Sequence, residues 1–425
     1  MDKAHLPISE FSSLDWTTRI GWLLVGSFPL ALPFRNLFEL PMAIMAICGL
    51  WLLVTKPLAS TAALPIKPLA VIFVGIWLPM LLSLPDALNV SRSTQTTLAF
   101  LRFPLAGLFV FHALRTEQAW HKLQIILGVA LSITALCLVL QSEHGSLHIL
   151  PVALSKLADI FSHQRGVGHV LAVLSPVYFY WIWRTRQWHR WKWVLLPIYI
   201  VAILFAGARA AWIMLMVGIA LFAIQITYVE KAKWGVRIIL VMGVLTLVAI
   251  GGALQNPFLK ARIEQTSGLL SGNYAAIDAA TSHRLPIWKV ALQVTRDHWI
   301  NGIGPRGFRY IYPEYGEKDD PFLVGNPDEG PTHPHQLLLE VATETGAIGI
   351  VGYLFVLIYF ARRMVRSAKQ SGPAFAFMSA AFIAIMPINA HMAFYASFWA
   401  CITWWLMSLS LAATHDPSVE HASRW

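Results

Sequence analysis

Charge is what this 425-residue chain has least of: Asp, Glu, Lys and Arg make up 13% of it against 57% hydrophobic residues, and the mean hydropathy is +0.59. So few charges cannot cover a soluble core of this size, which excludes an ordinary water-soluble globular protein and makes the bilayer the expected solvent. Cysteine is scarce as well. Cys48, Cys137 and Cys401 all sit in apolar runs, so neither a disulfide framework nor a cysteine metal site is indicated, and they read as packing residues. Acidic residues number 22 against 32 Lys and Arg, a net charge of +10. In a soluble chain that excess would point to nucleic acid; here the basic residues fall in short connections between apolar runs, so no nucleic-acid partner is expected. The first sixteen residues, MDKAHLPISEFSSLDW, lack a positive stretch followed by a cleavable apolar core, so the N-terminus is expected to stay and the first helix to anchor the chain. No fixed-period repeat is visible.

What the chain has in abundance is apolar runs long enough to span a bilayer, each needing about 20 residues. Twelve are read, over 17–33, 37–55, 68–84, 95–114, 120–141, 167–184, 192–206, 209–228, 236–254, 347–361, 373–389 and 393–413. The expectation is therefore an all-α polytopic membrane protein, a single membrane domain over 1–425, with one large water-facing segment, 255–346, between helices 9 and 10. One set of connections carries Lys56, Lys67, Arg115, Lys122, Arg184, Arg186, Arg190, Lys192, Lys231, Lys233, Arg237, Arg362, Arg363, Arg366 and Lys369. The other carries chiefly Arg35, Arg92, Lys156, Arg165 and Arg209. The positive-inside rule then puts both termini in the cytoplasm and the long segment outside it.

Within that segment the sequence predicts ordered structure. Thr281–Trp299 reads as a helix with Pro286 in its first turn and a stripe of Leu285, Trp288, Val290, Ala291 and Leu292. NGIGPRGF at 301–308 reads as turns, 309–332 as an irregular loop, and a second helix is expected from Pro334 to Gly346.

Arginine beside apolar helices carries the most information, because a guanidinium near the membrane persists only where it is paired or faces a cavity. Arg209 stands at the mouth of a helix, Arg165 ends the loop before another, and Arg284 opens the first loop helix, so three cations could converge on one anion. Arginine forks suit phosphate oxygens. Each could equally be a snorkelling anchor or a carboxylate's partner, and Arg102, inside its apolar run, a structural ion pair or a cavity contact. His335 opens the second loop helix with Leu338, Leu339 and Ala342 on its face, and an imidazole can take a proton from a hydroxyl at neutral pH; it could also be a polar residue opening a helix at the interface. Glu344 lies too far round a straight helix to touch His335, which leaves it to pair with an arginine, to orient the loop, or to serve as a plain helix-end carboxylate. Asp319, Asp320, Asp328 and Glu329 read as solvating. His333, His335, His283 and His298 lack metal-ligand spacing, and no metal is expected. There is no Gly-rich phosphate loop ending in Lys-Ser/Thr, so an activated substrate must come from the membrane itself.

GARAAW at 207–212, SHRLPIWKVAL at 282–292, NGIGPRGF at 301–308, and His335-Gln336-Leu337-Leu338-Leu339 followed by Glu344-Thr345-Gly346 resemble the O-antigen ligase and O-antigen polymerase superfamily of bacterial inner-membrane glycosyltransferases. Two positions depart from the common pattern: Gln336 stands where many members have Asn, and Ala210 where many have Gly. Chain length, helix number and the late loop look most like the O-antigen ligases. The resemblance implies a multi-spanning (GT-C type) glycosyltransferase of the inner membrane with its active site in the periplasm. It implies transfer of O-antigen from undecaprenyl diphosphate to the lipid A-core, with inversion and without metal, nucleotide or cofactor. Carried onto this sequence, His335 is the catalytic base, Arg209, Arg284 and less firmly Arg165 bind the diphosphate, and Glu344, His333 and Arg306 support them. O-antigen polymerases and protein O-oligosaccharyltransferases share the motif, and a lipid-linked glycan transporter is the reading from another class.

Overall fold

The computed structural model describes residues 16–34, 36–55, 64–142, 166–185, 192–231, 235–253, 255, 257–317, 320–324, 327–368, 372–387 and 392–415. Among them every regular element is helical. The first ten helices are α1 (Trp16–Ala31), α2 (Glu39–Thr55), α3 (Ile66–Leu82), α4 (Val90–Ala99), α5 (Arg102–Ala113), α6 (Glu117–Ser142), α7 (Val167–Arg184), α8 (Lys192–Phe205), α9 (Arg209–Ile224) and α10 (Gly235–Ala253). Four shorter ones follow, α11 (Pro257–Ser267), α12 (Tyr274–Ala280), α13 (Leu285–Asp297) and α14 (Phe308–Tyr315). The chain ends on α15 (Leu337–Ser367), α16 (Ala374–Ile385) and α17 (Ser397–His415).

A helix lies in each of the twelve apolar runs, but among the described residues six segments are long and apolar enough to cross a membrane by length and composition: 66–86, 90–113, 117–140, 209–229, 337–367 and 397–415. Twelve crossings therefore remain an expectation. The packing is that of a bundle whose outer face meets hydrocarbon. Nearly every residue of α7, α16 and α17 is buried, and α5 packs on α1, α2 and α17 around them. On the outer helices large apolar side chains point away from protein, with Ile47 67%, Met216 68%, Leu247 69% and Val351 68% exposed. That pattern is costly in water and neutral in lipid.

The α4–α5 break falls at Phe100 and Leu101 and sets Arg102 at the start of α5. Its Nη2 donates to Ser397 Oγ at 2.7 Å and its Nη1 lies 3.7 Å from Glu39 Oε2. Of the two roles open to Arg102, the structural ion pair is the one observed, and it ties α2, α5 and α17 together at one end.

The long segment has a core of its own. Ile287, Val290, Ala291 and Val294 of α13 follow i, i+3, i+4, i+7 spacing and meet Ile303, Phe308, Ile311 and Tyr312. This corrects the expected stripe: Leu292 is 59% exposed, Leu285 and Trp288 are half-buried, and the buried face is turned toward Ile287 and Val294. It also corrects the irregular loop over 309–332, since α14 occupies its first part, where Ile311 and Tyr312 pack one face of a single pair of turns. Asp320 solvates nothing: it is buried, accepting hydrogen bonds from Tyr312 Oη (2.7 Å) and Phe322 N–H (2.9 Å). Asp319 lies outside the described residues.

The second loop helix starts later than expected, at Leu337 with Gln336 as its N-cap; at Gly346 it breaks as expected, and past that kink the helix of the 347–361 run continues to Ser367. Gly346 adopts φ 63°, ψ −158°, a region only glycine enters freely, and a Cβ there would collide with the Ile300 carbonyl.

Candidate functional site

The kink and the NGIGPRGF turn hold each other. Ile303 N–H donates to the Thr343 carbonyl (3.0 Å), while beyond the kink Ala347 N–H donates to the Trp299 carbonyl at 2.7 Å. On its other side the turn rests on the connection before α4 and on the first turn of α4: Leu88 N–H donates to the Ile303 carbonyl (3.2 Å), Ser93 Oγ to the Pro305 carbonyl (3.0 Å), and Asn301 Nδ2 to Asp86 Oδ2 (2.6 Å). The turn thus joins the two halves of the chain. Nothing in the sequence between Asp86 and Ser93 marks it as that partner.

Glu344 sits at the centre of this joint, fully buried one turn beyond the equally buried Glu340. Its Oε2 accepts the Arg306 backbone N–H at 2.6 Å, the loop-orienting role open to it. Arg306 takes φ 67°, a strained conformation for arginine, and its guanidinium is close enough to act on both carboxylates. Glu340 accepts from the N–H groups of Phe394 (2.8 Å) and Tyr395 (3.2 Å), locking the approach to α17 onto α15. Arg306 Nη1 and Glu344 Oε1 are buried with no hydrogen-bond partner, the kind of unspent polar group a substrate can engage.

His335 is not on a helix. It precedes the Gln336 cap with φ 54°, so the expected face shared with Leu338, Leu339 and Ala342 does not exist. Gln336 fixes this corner from both ends of its amide: Oε1 accepts Leu339 N–H (2.6 Å) and Nε2 donates to the Pro387 carbonyl (2.9 Å). The His333 and His335 rings lie with centroids 3.9 Å apart, tilted 41° to each other, and Thr332 Oγ1 lies 2.9 Å from His333 Nδ1. Trp288 Nε1 donates to the Pro334 carbonyl at 3.1 Å. Trp288 is four residues after Arg284, on the same helical face, so α13 carries the cation and pins the histidine corner together.

The arginines gather where two helices begin. Arg209 is the first residue of α9, and Arg284 the cap residue of α13, its side chain making no capping bond. Burial, and then the neighbouring Arg209 charge, push the Arg284 guanidinium down to about 10. Two cations therefore share one partly dry space, each beside the positive end of a helix, an arrangement built for an anion. A third joins them that the sequence did not single out. Arg209 Nη2 donates to Gln265 Oε1 at 2.9 Å and Arg262 Nη1 to the same oxygen at 3.4 Å, while Arg209 Nη1 is buried without a hydrogen-bond partner. The weakly patterned stretch KARIEQ gave no hint that α11 would meet α9. Arg165 lies outside the described residues. Among those described, no three His, Cys, Asp or Glu side chains are gathered as metal ligands.

Residues 194–354 match the family model described as O-antigen ligase, over somewhat more than a third of the chain. This stretch is an O-antigen ligase family domain. The domain contains Arg209, Arg262, Arg284, His335 and Glu344, and runs from α8 to just past the α15 kink. A protein of Rickettsia prowazekii (strain Madrid E), provisionally named a polysaccharide ligase, is 27% identical over 168 residues, 39% of this chain and 38% of that one. The chain thus spans less than two fifths of the length of that relative.

Proposed function

We propose that this O-antigen ligase family protein transfers O-antigen from undecaprenyl diphosphate to a sugar hydroxyl of the lipid A-core, on the periplasmic face of the inner membrane. The reading is carried by two arginines at helix starts, Arg209 and Arg284, the first close enough for its charge to act on the second, with the His335 corner hydrogen-bonded to the helix that Arg284 opens. An anion of high charge density is what relieves such a pair.

In this scheme the donor enters from the membrane with its diphosphate against Arg209 and Arg284. His335 takes the proton of the acceptor hydroxyl, the hydroxyl oxygen forms the new bond to the anomeric carbon from the face opposite the diphosphate, and the carbon–oxygen bond to diphosphate breaks. Configuration inverts. Both electrons of the broken bond leave on undecaprenyl diphosphate, whose growing charge the arginines stabilise, and the proton passes from His335 to water. Glu344 holds the 301–308 turn, and with it Arg306, in register with this centre, while His333 buttresses the His335 ring. The glycosyl–diphosphate bond supplies the free energy, so neither nucleotide nor metal enters the scheme.

The test uses purified full-length protein with undecaprenyl-diphosphate-linked glycan and chelator, and no nucleotide. Lipid A-core is offered in one reaction and further lipid-linked glycan in another. Product on the core that disappears in the His335→Ala variant supports the ligase. Longer lipid-linked chains alone make the protein a polymerase, and no covalent product in either reaction overturns the glycosyl-transfer reading in favour of transport.

A further inference from the structure

The oxygen that occupies Arg209 belongs to a neutral side chain. Gln265 Oε1 sits 2.9 Å from Arg209 Nη2 and 3.4 Å from Arg262 Nη1, so one amide oxygen stands between two guanidinium groups. Gln265 and Arg262 lie one turn apart on α11, the same face presenting both to the start of α9. The neighbouring Arg209 Nη1 is buried and has no hydrogen-bond partner. A carboxylate would be the stronger acceptor for such a pair, with shorter, charge-assisted bonds. Glu264 is next in sequence, but it points away, exposed, 3.9 Å from Lys260.

We propose that Gln265 is a placeholder for a diphosphate oxygen and sets the donor affinity of the site by competing for Arg209. The inference rests on the reading of Arg209 as a diphosphate ligand and goes beyond it by naming the group that the donor must displace. A neutral oxygen keeps the two arginine forks from repelling each other while the site is empty, yet it yields to an anion, which binds the same nitrogens more strongly. A carboxylate at this position would hold Arg209 too well; an apolar side chain would leave the forks unshielded and more receptive. Release of product profits from the same exchange, since the amide oxygen returns as the diphosphate departs.

The test measures binding of inorganic pyrophosphate and of farnesyl diphosphate to the full-length protein in detergent by calorimetry, for wild type, Gln265→Ala, Gln265→Glu and Arg209→Gln. Gln265→Ala is expected to bind both probes roughly three- to tenfold more tightly, the weight of one lost competing hydrogen bond. Gln265→Glu is expected to bind at least about tenfold more weakly, because its carboxylate pairs with Arg209 and Arg262 directly. Weaker binding by Gln265→Ala would make Gln265 a positioning residue that helps the donor and would overturn the placeholder. So would affinity unchanged in both Gln265 variants while Arg209→Gln loses it, which leaves the diphosphate reading standing. If Arg209→Gln binds both probes as wild type does, the diphosphate reading itself falls. Thermal unfolding of each variant confirms that the protein measured is folded.

Discussion

Replacing Arg284 by Gln should make the empty protein more stable and the enzyme much worse. The Arg284 guanidinium is pushed down to about 10 by burial and by Arg209. A displacement of that size means that the charged form costs up to about 3 kcal/mol in the empty site, less whatever its partial exposure screens. The folded-state value lies below that of the unfolded chain. The cost is therefore fully present at neutral pH and is relieved only as pH rises through about 10 and beyond. Gln removes the charge, and since Arg284 makes no side-chain cap to α13, no helix cap is lost with it. A cation at a helix start is also opposed by the helix dipole, which adds a little in the same direction. Domains of 150–250 residues shift by about 2–4 °C per kcal/mol, so a rise of a degree or more in the unfolding midpoint is expected for this larger chain.

With donor bound the balance reverses. A diphosphate brings negative charge to the Arg284 fork, and losing hydrogen bonds to it costs about 1.5–3 kcal/mol each, a ten- to hundredfold loss of affinity. The assay pairs thermal unfolding of Arg284→Gln, with and without farnesyl diphosphate, against calorimetric binding of the same ligand. Wild type should gain stability on adding ligand and the variant should gain far less. A variant that is less stable when empty, yet binds as wild type does, would refute the argument, since Arg284 would then be a structural cation already compensated by its surroundings.

Three further outcomes are expected. His335→Asn keeps a residue that tolerates the left-handed conformation at φ 54°, so insertion and unfolding midpoint should stay near wild type while turnover drops by about 10²–10⁴-fold; turnover within a few-fold of wild type removes His335 from the role of base. Glu344→Ala leaves the buried Arg306 N–H without its acceptor and should cost about 1–3 kcal/mol by denaturant or thermal unfolding, whereas Glu344→Gln, which keeps an acceptor oxygen, should lose less than half of that. Gly346→Ala forces a Cβ into the Ile300 carbonyl at a glycine-only conformation, and folded yield in detergent should fall sharply; normal yield and turnover would mean that the kink does not hold the 301–308 turn.

Much of the architecture was legible because the bilayer imposes it. Apolar runs, turn residues and a proline in the first turn of α13 are local signals, and each has a helix or a break where it was expected. The misses are long-range. His335 was put on a helix because Pro334 looks like a first-turn residue and the leucines behind it have helical spacing. The chain instead turns at His335 and starts the helix two residues later, since Gln336 makes the better cap and ties to Pro387. Gly346 reads as a stop signal, and it does break the helical geometry. The helix that resumes past it is the apolar run at 347–361, while the angle of the kink goes with the docking of Ile300 and Asn301 where a side chain would be, which no window around residue 346 contains.

Arg262 and Gln265 show the same limit at the site itself. Their spacing on α11 puts them on one face, but on a short polar helix that face has no apolar stripe to announce where it points. What gives it meaning is a partner 56 residues away, Arg209, chosen by how α10 returns the chain to the bundle. A charged group such as Arg209 or Arg284 can be singled out from the sequence one at a time; the neutral group set between charges cannot, because an amide is unremarked anywhere except beside them. A site whose cations were simply waiting for an anion would spread its forks apart or recruit a carboxylate. Here a neutral amide oxygen bridges two of the forks, which on the proposed reading suits a donor site that must be emptied at every turnover.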